Sequence, residues 1–447
     1  LGRPPALNPF KQMTPILKSN GSLAMATGLA QQGIALLQFI LTARILAPAD
    51  LGQWAMYLTL IGLADMARHG MVHNSMVHFT AGNQPDSAGA RAAMLLWGLG
   101  LTAVAALLLA VPGRLLSDLW QMPALPTLFG IYLFTGLVWA LVRHAESAGM
   151  AEEDFRIPLV TAVLYGTVLL MATAWYWAAG IRPGLQVLAW WQGAGWLTAL
   201  GYVCWKRSRY FAIQHLSAHW LYKVWGFGRY SMMSNLSSVI MQRVDLFMLG
   251  FYVGSAELAT YNVATKAITF LDFPLNALGQ VAFPRLSATF HRQGLVATAR
   301  LYEHSVGRLL AITLPLTLIV AAGAPMIVGL IGGAGYARAA GVLQLLALAG
   351  LIKPWGRMFG VTLDAIGRSD LNLKMLVLSF VLNIGFNVLL TPIYGIFGAA
   401  LAAVLSILAG ILTGQAVLRR LLPANPMEAV AHFWIYYKQL WMKYAAV

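Results

Sequence analysis

The feature that most constrains this chain is a succession of apolar stretches, each about 20 residues or longer, separated by short polar joints rich in Pro and Gly. A stretch of that length crosses the hydrocarbon of a bilayer as a helix, because only a helix satisfies its own backbone there. Twelve such segments are predicted. The first six lie at about 21–47, 50–79, 89–111, 124–148, 157–180 and 184–205. The second six lie at about 228–253, 256–284, 298–322, 338–366, 371–391 and 395–418. Composition agrees: 59% of the 447 residues are hydrophobic and 10% charged, with a mean hydropathy of +0.69. A soluble domain carries about 25% charged residues. The expected fold is therefore an all-α polytopic membrane protein with about 12 transmembrane helices.

The net charge of +15 is scattered between the spans, so it reads as orientation signal and cavity lining and gives no indication of nucleic-acid binding. Arg3, Lys11, Lys18, Arg91, Arg143, Lys206, Arg207, Arg285, Arg368 and Arg419 fall on the side that holds both termini. Opposite them lie Arg44, Arg114, Arg182 and Arg338, which predicts cytoplasmic termini. The lone Cys204 excludes an intramolecular disulfide and a cysteine metal site. No cleavable signal peptide is read at the N-terminus, and no nucleophile elbow, phosphate loop, zinc motif or dinucleotide fingerprint occurs in a suitable context.

The longest polar interruption, Lys206 to Lys223, divides the chain into residues 1–205, a linker at 206–227 and residues 228–421. Residues 422–447 follow as an aromatic helix whose Phe433, Trp434, Tyr436, Tyr437, Trp441 and Tyr444, with Lys438 and Lys443, suit the headgroup layer. Ala49-Asp50-Leu51-Gly52-Gln53-Trp54 resembles Ala256-Glu257-Leu258-Ala259-Thr260-Tyr261, and the same offset places Asp65 on Asp272. Two parallel repeats of six spans would explain this match.

Ionisable side chains inside spans are costly and mark function or internal pairing. On the second span Asp65, Arg68, His69, His73 and Asn74 share one face. They read either as a structural Asp65–Arg68 pair or as a solvated translocation surface; one carboxylate with two histidines beside an arginine is a weak metal signal, so no metal is expected there. Arg243 and Asp245 occupy the seventh span, and Lys266 and Asp272 the eighth, where Pro274 and Pro284 predict a bend at or below Asp272. Lys353 and Arg357 stand at i, i+4 on the tenth span, where like charges repel. Asp245 and Asp272 could neutralise them. Alternatively Arg68, Arg243, Lys266, Lys353 and Arg357 outnumber Asp65, Asp245 and Asp272 and leave positive charge for an anionic, phosphate-like ligand. Gln31 and Gln32 polarise the first span as further cavity candidates.

Several of these joints are similar to those of one family. Ile45-Leu46-Ala47-Pro48-Ala49-Asp50-Leu51-Gly52-Gln53-Trp54 resembles the first joint of polysaccharide flippases. Arg243 to Gly250 with Leu258 to Ala264 resembles their seventh-to-eighth joint, Val281 to Ser287 the segment after it, and Tyr394 to Ala400 the last joint. The resemblance is to the polysaccharide transporter family, the Wzx-like O-antigen and exopolysaccharide flippases of the multidrug/oligosaccharidyl-lipid/polysaccharide superfamily. It implies two six-helix lobes in a V and a bacterial inner-membrane flippase with a cationic cavity. Such a protein moves a polyprenyl-diphosphate-linked glycan outward by alternating access, coupled to H+ or Na+, among membrane lipids and beside a polysaccharide polymerase and glycosyltransferases. No other cofactor is implied. Asp65, Asp245 and Asp272 are then the coupling candidates. The rival readings are a multidrug cation antiporter of the same superfamily, whose cavity would be acidic, and a non-transporting scaffold. An enzyme would want a sizeable external loop, and the loops at about 112–123 and 323–337 are short.

Overall fold

The computed structural model describes residues 20–80, 87–425 and 427–444, and all regular structure among them is helical. The expectations resting on Arg3, Lys11 and Lys18 lie outside the described residues, as do the side chains of Trp441, Lys443 and Tyr444. The chain forms two compact units, Leu1–Arg243 and Val244–Val447.

The first unit contains α1 (Asn20–Ile45), α2 (Pro48–Thr80), α3 (Ser87–Ala110), α4 (Gly113–Trp120), α5 (Leu125–Ala151), α6 (Arg156–Ala178), α7 (Leu185–Arg207) and most of α8 (Ala218–Tyr252). Pro48 opens α2 with Asp50 in its first turn, a combination that suits a helix start because the ring needs no N–H partner and the carboxylate meets the positive helix end. The unit's core gathers Met71, Met76, Met94, Ala145, Trp220 and Val224 from α2, α3, α5 and α8. Gly70 permits a close approach of backbone to backbone: a Cβ there would lie 2.6 Å from the Ser231 carbonyl and 2.7 Å from Met232 Cα. The stretch expected as a linker therefore does not hang free. Its segment Ser208–Phe211 forms a 3-10 turn held by Glu152, which accepts from Arg209 Nη2 at 2.6 Å and from the Tyr210 hydroxyl at 2.9 Å. Burial and that carboxylate together push the Tyr210 hydroxyl above its ordinary range.

The second unit contains the end of α8, then α9 (Ser255–Ala322), α10 (Ala324–Ile331), α11 (Ala339–Ala365), α12 (Ser369–Tyr394), α13 (Ile396–Leu421) and α14 (Glu428–Tyr444). Only Val253 and Gly254 separate α8 from α9, and Gly254 sits at φ 83°, a left-handed conformation that glycine adopts without steric cost. The expected polar joint between the eighth and ninth spans is helical instead. A helix of 68 residues would run roughly 100 Å at about 1.5 Å per residue, far beyond a bilayer. It is interrupted at Gly294 (φ 77°), the single non-helical residue inside α9, whereas Pro274, Pro284 and Pro315 keep helical torsions. The core joins Leu275, Tyr302, Val306, Leu309, Met358, Phe359, Leu418 and Ala429.

Among the described residues, seven helices are long and apolar enough to cross a membrane: α3, α5, α6, the part of α9 from Leu271 to Ala322, α11, α12 and α13. Their faces retain large exposed apolar side chains such as Leu108, Phe134, Met171, Ile319 and Leu389. Helices of this kind need lipid around them, and the chain is a multi-pass membrane protein.

Candidate functional site

Each unit holds its own set of the charged residues predicted from sequence. In the first, Asp65 is 4% exposed and is gripped by Arg68, with Nη2 at 2.5 Å and Nε at 3.0 Å from Oδ1. Arg143 on α5 stands 3.5 Å from Oδ2 and donates to Glu146 at 2.7 Å. Glu146 in turn accepts from the Thr161 hydroxyl on α6 at 2.7 Å. Two carboxylates and two guanidiniums so form one alternating chain across α2 and α5, in which each charge has an opposite neighbour, and Thr161 ties its end to α6. Arg68 is committed to Asp65 and is not left over for a ligand. The rings of His69 and His73 stack with centroids 4.5 Å apart beside this chain, and Asn74 donates to the Ser231 hydroxyl. The oxygens of Asp65 that a metal would need face arginines.

Arg143 and Glu146 were missing from the predicted site. Their i, i+3 spacing was visible, but near the end of a span Arg143 reads as an orientation charge, and only tertiary packing brings α5 against α2. On α1, Gln31 is half-buried and Gln32 exposed, and it is Gln38 that reaches a neighbouring helix, accepting from Thr173 at 3.4 Å. Arg243, the last residue of the first unit, is exposed.

In the second unit Lys353 Nζ lies 2.6 Å from Asp272 Oδ1, so one of the two repelling cations of α11 is neutralised from α9. Arg357 differs. It is half-buried, forms no ion pair among the described residues, and its Nε is buried with no hydrogen-bond acceptor. The room it occupies exists because of Gly279, where a Cβ would come within 2.6 Å of that Nε. Lys266 is half-buried on the same helix as Asp272.

Asp245 takes the opposite arrangement, a carboxylate held by neutral donors alone. Tyr261 donates to Oδ2 at 3.2 Å and Asn387 Nδ2 to Oδ1 at 2.9 Å, and Asn387 is tied by Thr391, whose hydroxyl donates to it at 2.9 Å. No cation pairs with Asp245 among the described residues, so it does not neutralise Lys353 or Arg357 as one reading expected. Asn383, Asn387 and Thr391 were also missed, although their spacing of four puts them on one face of α12.

The arrangement of helices has counterparts among solved membrane transporters. The structure aligns with an inward-facing multidrug-resistance transporter of the MOP superfamily at a TM-score of 0.72 and 15% identity, covering 87% of this chain and 95% of that one. It aligns with the lipid II flippase MurJ in an inward closed conformation at 0.71 and 14% identity, covering 95% and 92%. The fold is that of the multidrug/oligosaccharidyl-lipid/polysaccharide superfamily. Within it, the family profile described as "Polysaccharide biosynthesis protein" matches residues 41–340, and the chain belongs to that family. A membrane protein of Methanocaldococcus jannaschii, described as uncharacterized, is 28% identical over 182 residues, which span 40% of this chain and 36% of that protein. The probable low-salt glycan biosynthesis flippase Agl15 of Haloferax volcanii is 22% identical over 183 residues, 41% of this chain and 39% of Agl15.

Proposed function

We infer that this chain is a flippase for a polyprenyl-diphosphate-linked oligosaccharide, carrying it from the cytoplasmic to the outer leaflet by alternating access. The proposed architecture is twelve spans in two six-span lobes, 1–205 and 228–421, with both termini on the cytoplasmic side of a bacterial inner membrane. The observation that carries the reading is Arg357, a half-buried guanidinium that pairs with no carboxylate among the described residues, beside a glycine that clears its space. An uncompensated charge in such a setting is unfavourable unless a ligand answers it, and the planar donor fork of arginine matches a diphosphate. Arg243 in the first unit and Lys266 in the second are also proposed as substrate-binding residues, and Lys353 is tied to Asp272. Membership of a polysaccharide biosynthesis family and similarity to proteins named as flippases support a glycan lipid as cargo.

Asp245 is proposed as the coupling group. A carboxylate that only neutral donors satisfy gains most from a proton or a sodium ion, and taking one up would change its bonds to Tyr261 and Asn387. Asp65, by contrast, is already compensated by two arginines and serves as a structural lock of the first unit. A polysaccharide polymerase and glycosyltransferases are the proposed partners.

Replacing Arg357 or Arg243 by Ala should abolish glycan export in cells while the protein remains in the membrane. Unimpaired export in both variants would overturn the assignment. A cation antiporter instead predicts drug resistance on overexpression, without any effect on surface glycan.

A further inference from the structure

Away from these charges, the described residues bring three metal-ligating side chains together where α14 meets α9. Glu303 comes from α9, and Glu428 and His432 from α14, with their ligating atoms all within 4.8 Å of one another. Glu428 and His432 are four residues apart and therefore share a helix face. The two helices touch closely at this point: a Cβ on Gly307 would lie 2.7 Å from the Ala429 carbonyl and 2.8 Å from His432 Cβ. Phe433 is buried against Leu310 and Ala311, and the Tyr437 hydroxyl donates to the Ala311 carbonyl at 2.8 Å.

Two features of this cluster call for a cation. First, Glu303 is 3% exposed and faces a second carboxylate, yet neither Glu303 nor Glu428 pairs with a lysine or arginine among the described residues. One oxygen of Glu303 accepts from the Asn425 N–H at 2.6 Å, which satisfies a lone pair but supplies no full charge. Second, Nδ1 of His432 is buried with no hydrogen-bond partner, and the ring lies against His304 with centroids 3.7 Å apart, an arrangement that two protonated imidazoles would resist. Arg308, the nearby cation, is turned to the Tyr436 ring at 5.9 Å. Like charges brought close in a partly buried place need a proton or a metal between them.

We propose that Glu303, Glu428 and His432 bind one divalent transition-metal ion of the zinc type, which fastens the C-terminal helix α14 to α9. Two carboxylates and one neutral imidazole are donors that zinc accepts, and their summed charge cancels that of the ion. Zinc bonds of about 2.0–2.2 Å set ligand atoms roughly 3.5 Å apart in a tetrahedron, so no pair of ligand atoms, all within 4.8 Å of one another, has to close by more than about 1.3 Å on binding. Glu428 is exposed at the start of its helix and supplies that movement. A fourth position remains for water.

The test uses the full chain purified in detergent, stripped with a chelator, incubated with zinc and dialysed, with retained metal measured by elemental analysis. Wild type is expected to retain a single zinc per chain. Glu428→Gln and His432→Gln, at an exposed and a half-buried position, are each expected to weaken retention at least about tenfold. Zinc should also raise the unfolding temperature of wild type and leave that of His432→Gln unchanged, since only a ligand bound to the folded state stabilises it. If wild type retains no more zinc than the Glu428→Gln/His432→Gln double variant, or if both variants retain zinc as wild type does, the proposal is wrong. Glu303→Gln is the third variant; should it fail to fold, the two α14 variants decide the question alone.

Discussion

Asp65 gives the sharpest energetic prediction. Its carboxylate compensates Arg68 at 2.5 Å and, more distantly, Arg143 at 3.5 Å, in a place where Asp65 is 4% and Arg68 3% exposed. Asp65→Asn keeps the shape and removes the charge. Arg143 still has Glu146 at 2.7 Å, so the guanidinium left uncompensated is Arg68, whose Nη1 already has no acceptor. Removing one partner of a buried ion pair costs about 3–5 kcal/mol. The Asp272–Lys353 pair is the internal comparison: at 38% and 24% exposure it is not enclosed by protein as Asp65 and Arg68 are, and since a charged pair in a span turns to protein or water, screening on the water side holds it to about 1 kcal/mol or less. Thermal unfolding of the purified protein in detergent should therefore show Asp65→Asn as far more damaging than Asp272→Asn. Removing both charges, in Asp65→Asn/Arg68→Met, should recover part of the loss, because the penalty lies in the orphaned charge. If Asp65→Asn is as mild as Asp272→Asn, or if the double variant is as damaged as the two single losses summed, the alternating chain of charges is not what holds α2 to α5.

Three further outcomes follow from the geometry. Gly279→Ala places a methyl within 2.6 Å of Arg357 Nε, a flexible neighbour that can move, so we expect near wild-type unfolding but several-fold slower glycan export. Gly70→Ala meets backbone atoms at 2.6 and 2.7 Å and should lower the unfolding temperature, as packed backbones cannot yield. Asp245→Asn retains a partner for Asn387 or Tyr261 and should fold, while transport in vesicles loses its response to an imposed proton or sodium gradient; an unchanged response would remove Asp245 from coupling.

Much of the fold was legible because its signal is local. Span length, joint prolines and apolar runs depend on a few consecutive residues, and predicted segments such as 89–111, 338–366 and 395–418 coincide closely with α3, α11 and α13. The failures are where tertiary structure decides. The joint at 285–297 is polar enough to read as a loop, yet the helix continues through it to Gly294, with Leu286 alone of residues 285–293 buried in the core. Some charges stand out because they interrupt an apolar run, as Asp65, Asp272 and Arg357 do, but Glu146 near the end of its span does not. Their partners were harder, since charge counting could not tell whether Asp272 or Asp245 would meet Lys353. Arg143 was read as a topology marker because sequence places it only along its own helix. Asn383 and Asn387 carry no charge and stand out only beside the Asp245 they serve.

The most direct measurement is lipid flipping in reconstituted vesicles. The protein would be incorporated with a fluorescent polyprenyl-diphosphate-linked oligosaccharide, and its exposure on the opposite leaflet followed by a membrane-impermeant quencher. The account predicts transfer that requires the protein, and that falls at least about tenfold in Arg357→Ala, the loss of one charged phosphate contact. Transfer no faster than in protein-free vesicles, or transfer indifferent to Arg357→Ala, would contradict it.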